Sequence, residues 1–318
     1  MTGPLLTTWL PDEFKNLGND GPFVELTGEQ QARQAVRDQL PFHPDFIKIW
    51  YIVEDADLER GARTKFDLVK AVINEAHQQH LPIAVHATEQ ITARLAVEAG
   101  ADYLVHSVEN EVIADELLSL MKQKNVVICP TLLVGGNYDK VFTGAYKFTK
   151  EELKTAHPVP VRTIREFPAP DTIQGRRMID FFSQAKFGER QRHTDSIMRL
   201  NLVRLAKAGV AIATGTDAGN IGTQHAGSYY PELEAMARSG LDLWQLLRAS
   251  TIDAFASIHQ ENAGGSITEG KFADMILLDA NPTTDLANWR KISKIIRGGA
   301  AIDPARIVKD KSDELPIR

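Results

Sequence analysis

The chain has 318 residues, of which 43% are hydrophobic and 25% charged, with a formal net charge of −6 at pH 7. This balance is typical of a globular protein with ample length for a core. It shows neither a basic stripe for nucleic acid nor a run of about 18 apolar residues for a membrane span. The single cysteine, Cys129, excludes an internal disulfide framework. It favours a reducing, cytoplasmic compartment, with a lost N-terminal signal as the alternative.

The first 44 residues give weak local signals. Residues 5–10 could form a strand. Residues 27–40 predict a helix in which Thr27 is the N-cap and Gln30 completes a capping box.

A strong strand is predicted at residues 45–53, with the sequence DFIKIWYIV. Alternation places Phe46, Lys48 and Trp50 on one face and aliphatic side chains on the other. Both faces are largely apolar, as in a strand buried within a parallel sheet. Lys48 therefore has unusually hydrophobic surroundings.

Two consecutive strands each end in a histidine, His86 in PIAVH and His106 in YLVH, with a helix and Gly100 between them. Strands and helices alternate here with short connections, which requires a parallel sheet with right-handed crossovers. The carboxyl ends of parallel strands meet at one edge, where catalytic residues of α/β barrels gather. The pattern therefore predicts a shared site for the two histidines.

The rest of the chain contains a long excursion, further helices and strands, and a group of strands near the C-terminus. Residues 135–191 contain Gly-Gly and several prolines, and we interpret them as a long excursion over the active face. The other predicted elements are helices at 65–80, 110–124, 192–208, 231–239 and 243–259, strands at 126–133 and 210–215, and tail strands after 264. The tail strands have no helix between them and should form a small separate sheet. The predicted domains are 1–260, a (β/α) barrel, and 261–318, part of a β-sandwich.

The ordered motifs FIKIW, VHATE, VHS, GTDAG and GSITEGKFADMILLD, spread over residues 45–299, resemble the amidohydrolase superfamily. Imidazolonepropionase-like and prolidase-like members are the most similar. The resemblance implies an α/β fold, a distorted (β/α)8 TIM-like barrel, with a β-sandwich built from both termini. It also implies a metal-dependent hydrolase of C–N bonds in peptides, amides or cyclic amides that uses a metal-activated water.

The same resemblance implies a metal site made of Lys48, His86, His106 and Asp217. Lys48 would be carbamylated by CO2 and bridge metals, and Asp217 would be both ligand and general base. Zn²⁺ is the favoured ion, with one or two per chain, because it prefers imidazole nitrogen and carboxylate oxygen. Lysine reacts with CO2 only as the neutral amine, a form that burial favours.

The sequence departs from the family at its first barrel strand, which carries a His-x-His pair. No two of the nine histidines of this chain have that spacing. Only one earlier strand, near residues 5–10, is predicted before the lysine strand, where the family has three. The resemblance therefore implies that the first strands are missing, so the chain is interpreted as a fragment or a reduced relative. We expect at most one firmly bound metal in this chain.

Each candidate also has a structural interpretation. His86 and His106 could be hydrogen-bonded core histidines, Lys48 could protect an exposed sheet edge, and Asp217 could cap a turn or helix. The second hypothesis for the whole chain is therefore an inactive amidohydrolase-like protein that serves as a binding or assembly module. A third hypothesis, within the enzyme class, is deamination at a single metal.

Weaker candidates for substrate binding are Tyr138 in the excursion and His225 and Tyr230 after the GTDAG motif. The expected partner is a small-molecule or peptide substrate, with no nucleic acid or membrane. A homo-oligomer is an open alternative, since a six-stranded open barrel would expose strand edges.

Overall fold

The computed structural model describes residues 2–15, 21–167 and 173–307. The chain forms two compact units, each assembled from three segments. The first unit consists of Met1–Pro130, Arg204–Ala213 and Ala249–Gly265. The second consists of Thr131–Val203, Thr214–Arg248 and Ser266–Arg318.

A seven-stranded parallel sheet forms the centre of the first unit. Its strands are β1 (Leu5–Thr7), β2 (Phe23–Glu25), β3 (Ile47–Trp50), β4 (Ile83–His86), β5 (Tyr103–Val105), β6 (Val127–Cys129) and β7 (Ala211–Ile212). The order across the sheet is β2-β1-β3-β4-β5-β6-β7, and every neighbouring pair is parallel. The predicted parallel α/β sheet is confirmed.

Helices follow most of these strands. They are α1 (Glu29–Arg37), α2 (Leu58–Gln78), α3 (Gln90–Ala99), α4 (Asp115–Gln123), α5 (Val134–Phe142), α6 (Lys150–Thr155), α7 (Pro158–Glu166), α8 (Ile173–Phe182), α9 (Ala185–Ala208), α10 (Tyr229–Ser239), α11 (Leu243–Ala249) and α12 (Ile252–Ala256). In the described part of the chain, none of them is both long enough and apolar enough to cross a bilayer.

The core of the first unit lies between the sheet and its helices. Along α2, Val69, Val72 and Ile73 recur at helical spacing and are fully buried. They supply an apolar stripe, and β3 contributes the buried Ile47 and Ile49. Each such side chain contributes about 1.5–3 kcal/mol relative to exposure to water. The alternation predicted for β3 is confirmed, because Lys48 and Trp50 are only partly buried.

Two expectations for the front of the chain are wrong. Helix α1 begins after Gly28, which has no side-chain cap, so the predicted Thr27 cap with Gln30 does not form. Two strands rather than one precede the lysine strand, because β2 pairs with the outer side of β1. Strand β3 is an interior strand, so Lys48 does not protect a sheet edge.

The second unit contains α5–α8, most of α9, α10 and α11, and a separate antiparallel sheet. Much of 135–191 is therefore helical, where we expected a long irregular excursion; residues 168–172 lie outside the described part. Leu153, Ala156 and Val161 form a small core there with Phe148 packed against it.

The separate sheet consists of β8 (Met275–Leu278), β9 (Ile292–Arg297) and β10 (Ala300–Ile302) in the order β10-β9-β8. Both strand pairs are antiparallel. This confirms the prediction that the tail strands belong to a small sheet of their own.

Candidate active site

Two of the predicted site residues, His86 and His106, lie at the carboxyl ends of adjacent strands in the first unit, and a third, Lys48, lies within the neighbouring strand. Lys48 is in β3 and pairs with Ala84 of β4, two residues before His86. His86 ends β4 and pairs with Val105, the last residue of β5. His106 follows directly. The parallel register therefore brings the two histidines to the same edge of the sheet, as the sequence predicts.

The two imidazoles are in contact. Their ring centroids lie 4.6 Å apart, with an interplanar angle of 74°. The backbone N–H of His106 donates to the carbonyl of Cys129 at 2.8 Å, which ties the residue to the end of β6. Lys48, His86 and His106 all keep part of their surface accessible. None of the three residues is therefore fully sealed from solvent.

His106 has an unusually low pKa and an unusual backbone conformation. Burial, together with the smaller effect of the positive charge of Lys48, lowers the pKa of its imidazole to about 3. The ring is therefore neutral at physiological pH, the form that binds metal ions. Its backbone φ of 76° is in the left-handed region, which non-glycine residues seldom adopt. Such conformations cluster at functional sites.

An aromatic row continues from the histidine pair. Trp50 lies 5.9 Å from His86 between ring centroids, Phe23 lies 5.2 Å from Trp50, and Phe14 lies 5.1 Å from Phe23. Phe46, the other predicted neighbour of Lys48, instead packs edge-on against Tyr103. The row gives the histidine pair an apolar wall that the sequence indicates only through Trp50.

Asp217 belongs to the second unit, where its loop is strongly hydrogen-bonded. Its Oδ2 accepts a hydrogen bond from the Nδ2 of Asn220 at 2.8 Å. Its backbone carbonyl accepts from the amide of Asn220 at 3.2 Å and from the Thr223 hydroxyl at 3.2 Å. Asp217 also has a left-handed φ of 52°. These bonds fix the direction of the carboxylate.

Tyr138, a candidate for substrate binding, is connected to this loop. Its hydroxyl donates to the Oδ1 of Asn220, so Asn220 bridges Tyr138 and Asp217. Burial raises the pKa of the Tyr138 phenol, and the negative charge of Asp217 raises it further. Sequence reasoning missed Asn220, although its position three residues after Asp217 is typical of a side chain that stabilises a turn.

The other two substrate candidates lie in different settings. His225 is exposed on the same loop. Tyr230 is partly buried, its hydroxyl donates to the carbonyl of Trp289 at 2.7 Å, and the Arg290 guanidinium lies 4.0 Å from its ring centroid. A role for either residue in substrate binding remains a prediction.

Glu232 of α10 is a buried acid that sequence reasoning missed. Its carboxylate accepts hydrogen bonds from the backbone amides of Leu132 at 2.7 Å and Leu133 at 3.1 Å. Burial raises the pKa of Glu232 to about 7, against the opposite effect of these two bonds. The carboxylate thus secures the residues that lead into α5, the helix that carries Tyr138.

The residues at the strand ends fit part of a metal site. Among residues 2–15, 21–167 and 173–307, no three His, Cys, Asp or Glu side chains are grouped so that they could hold a metal ion. The two imidazoles of His86 and His106 are suitable ligands for zinc. A third ligand would have to come from Lys48 of β3, whose carbamate would be anionic. His86, His106 and a carbamylated Lys48 would therefore suit one metal ion rather than two.

A parallel α/β sheet with two histidines at its carboxyl edge has the arrangement in which α/β barrel enzymes place their active-site residues. Residues 52–302 match the profile of the Amidohydrolase family. The chain belongs to this family.

Similar proteins share this fold at low identity. Ochratoxinase of Aspergillus niger is 23% identical over 287 residues, which cover 88% of this chain and 50% of that protein. The crystal structure of A. niger ochratoxinase superposes with a TM-score of 0.65 at 21% identity, covering 94% of this chain and 59% of the other. A Xaa-Pro dipeptidase with bound methionine in its active site gives 0.64 at 20% identity, with 92% and 64% covered.

These likenesses confirm the α/β, TIM-like barrel fold class. The chain spans about half the length of the curated relative and less than two thirds of either structure.

Proposed function

We propose that this protein is a metal-dependent hydrolase of C–N bonds in peptide, amide or cyclic amide substrates. Membership of the Amidohydrolase family supports a hydrolase of this class. The similarity to a Xaa-Pro dipeptidase favours small peptides within it.

The observation that carries the proposal is the contact between His86 and His106 beside Lys48. A neutral His106 offers a nitrogen lone pair to a cation at physiological pH, since burial and Lys48 lower its pKa to about 3. His86, His106 and carbamylated Lys48 would hold one divalent ion, with Zn²⁺ favoured. When bound, such an ion lowers the pKa of a water molecule to about 7 and polarises a carbonyl group.

Asp217 would act as the general base and as a further ligand. Asn220 holds the Oδ2 of Asp217, so the Oδ1 atom is the one we assign to accepting the proton. The same oxygen would then pass the proton to the leaving nitrogen. Tyr138, His225 and Tyr230 remain proposed contacts for the substrate.

Metal content and activity test the proposal together. We expect at most one equivalent of zinc per chain by elemental analysis, and hydrolysis of at least one member of a dipeptide panel that includes Xaa-Pro. A chelator and Asp217→Asn should each abolish that hydrolysis. Asp67→Asn, which changes an exposed aspartate on α2, is the matched control and should leave it unchanged.

A second candidate is a binding or assembly module without catalysis. It is favoured by the missing His-x-His pair and by the finding that no three conventional ligands are grouped in the described residues. A folded protein that retains no zinc and hydrolyses no member of the panel would support this candidate and contradict the first. Two tightly bound metals per chain would contradict the expected single ion.

A further inference from the structure

A pocket of about 290 Å³ in the second unit has six charged side chains from α5, α9 and α10 among its thirteen lining residues. Four of the lining residues are cationic and two are acidic, so the wall has a formal excess of two positive charges. The charged lining residues are Lys140, Arg192, Arg199, Arg238, Asp139 and Asp195. Cations from three helices converge on one cavity that contains none of the candidate hydrolytic residues.

Within the part of the chain that the structure describes, local contacts offset only part of this excess. Asp195 accepts a hydrogen bond at 2.9 Å from Gln191, a neutral amide. Arg238 lies 3.7 Å from Glu234, which is outside the lining and offsets part of its charge at the long limit of an ion pair. Arg192 and Arg199 are seven residues apart on α9, so they project from the same side of the helix two turns apart.

Part of the pocket wall is main chain without a side chain. Gly136 belongs to the first turn of α5 and lines the pocket. Apart from its chain neighbours and its own helix backbone, no atom of the described residues lies within 4 Å of the position that its Cβ would occupy. A ligand can therefore approach the main chain closely at this point. The first turn of a helix also has partial positive charge, which adds to the effect of the cationic side chains.

We propose that this pocket binds a phosphate group, either free or carried by a small monoester. A phosphate carries about −1.5 to −2 charge at pH 7, which matches the excess on the wall. Arginine forms paired, charge-assisted hydrogen bonds to the oxygens of such an anion. The volume is at the lower limit of ligand pockets, about 300 Å³, so the ligand is small. The proposal is independent of the hydrolytic function.

Titration of the full chain with inorganic phosphate and, separately, with glycerol phosphate tests the inference, with calorimetry as the readout. We expect saturable binding with a Kd of about 1 mM or below. Arg192→Gln and Arg199→Gln should each weaken it about tenfold, the effect of losing a hydrogen bond to a charged group. Arg190→Gln is the matched control, since this arginine is exposed on α9 outside the pocket, and it should leave Kd unchanged.

A substitution that should strengthen phosphate binding, rather than weaken it, makes the test specific. Asp195→Asn removes a negative charge from the wall at constant shape and should tighten phosphate binding, whereas damage to the fold would weaken it. Tighter binding of the ester than of free phosphate assigns the site to esters, and equal binding assigns it to the free anion. Absence of saturation at tens of millimolar of both probes overturns the proposal. The proposal is also overturned if Arg190→Gln weakens phosphate binding as much as Arg192→Gln and Arg199→Gln do. Weaker phosphate binding by Asp195→Asn than by the wild type overturns it as well.

Discussion

The buried carboxylate of Glu232 should make the stability of this protein fall as the pH rises. Glu232 is fully buried, and burial raises its pKa from the usual 4.5 to about 7. The folded state therefore keeps a proton that the unfolded state has already lost. Stability from this group is complete below the unfolded pKa and is lost as the pH rises through the folded one.

The magnitude follows from the size of the change. One pKa unit corresponds to about 1.4 kcal/mol, so a rise from 4.5 to about 7 corresponds to about 3 kcal/mol. Most of this free energy should disappear between about pH 5 and about pH 8. Glu232→Gln replaces the acid with a group that does not titrate. The free energy of unfolding of Glu232→Gln, taken relative to that of the wild type, should therefore rise by about 2–3 kcal/mol as the pH increases across that range.

Urea unfolding of both proteins at a series of pH values measures the difference directly. Glu234→Gln is the matched control, because Glu234 is two residues further along α10 with its side chain 48% exposed. Its difference from the wild type should vary little with pH. Parallel pH curves for the wild type and Glu232→Gln would refute the reasoning, because they would mean that the Glu232 carboxyl titrates alike in both states.

Three further outcomes are expected. His106→Gln removes an imidazole from the proposed site, so zinc retained after dialysis, measured by elemental analysis, should fall to near zero; unchanged zinc would exclude His106 as a ligand. The hydrogen bond to Asp102 raises the pKa of His77 above 6.5, so stability from this pair is complete below that pH and is lost as the pH rises through the raised value. His77→Gln should flatten this part of the thermal stability curve, and an unchanged slope would contradict the assignment. Leu104→Ala at a position only 1% exposed should destabilise the protein by about 3 kcal/mol in urea unfolding, since it leaves a cavity. Val112→Ala, 42% exposed, should change stability by no more than about 0.5 kcal/mol, and equal effects would contradict the assigned burial.

The contact between His86 and His106 could be predicted because parallel strands repeat a simple geometry. Each strand is a short apolar run, and each histidine is the first polar residue at its carboxyl end. A register that pairs the end of β4 with the end of β5 then brings the imidazoles together. By contrast, β2 has three partly buried residues and no period to detect, so its place outside β1 depends on tertiary contacts.

The helices at 135–191 were missed because their glycines and prolines occupy helix starts. Pro158 is the first residue of α7 and Pro160 lies in its first turn, where an amide N–H has no intrahelical partner to lose. Gly135 and Gly136 similarly lie in the first turn of α5. Residues that break a helix interior are tolerated at these positions.

Contacts between residues far apart in the chain account for the rest of what the sequence did not predict. The hydrogen bond from Tyr138 to Asn220 spans 82 residues, and the one from Leu132 to Glu232 spans 100. Neither contact leaves a local pattern, because each partner is an ordinary residue in its own segment. These residue pairs come together only in the folded chain.

The interleaved course of the chain has a consequence during synthesis. Strand β6 ends at Cys129, but β7, its neighbour, begins at Ala211. At about 5–20 residues per second, a ribosome needs roughly 4–16 s to translate the intervening chain. During that time the nascent sheet has an open edge at β6, which can pair with other chains. Slow induction at low temperature or co-expression of a chaperone should therefore raise the soluble yield of this protein.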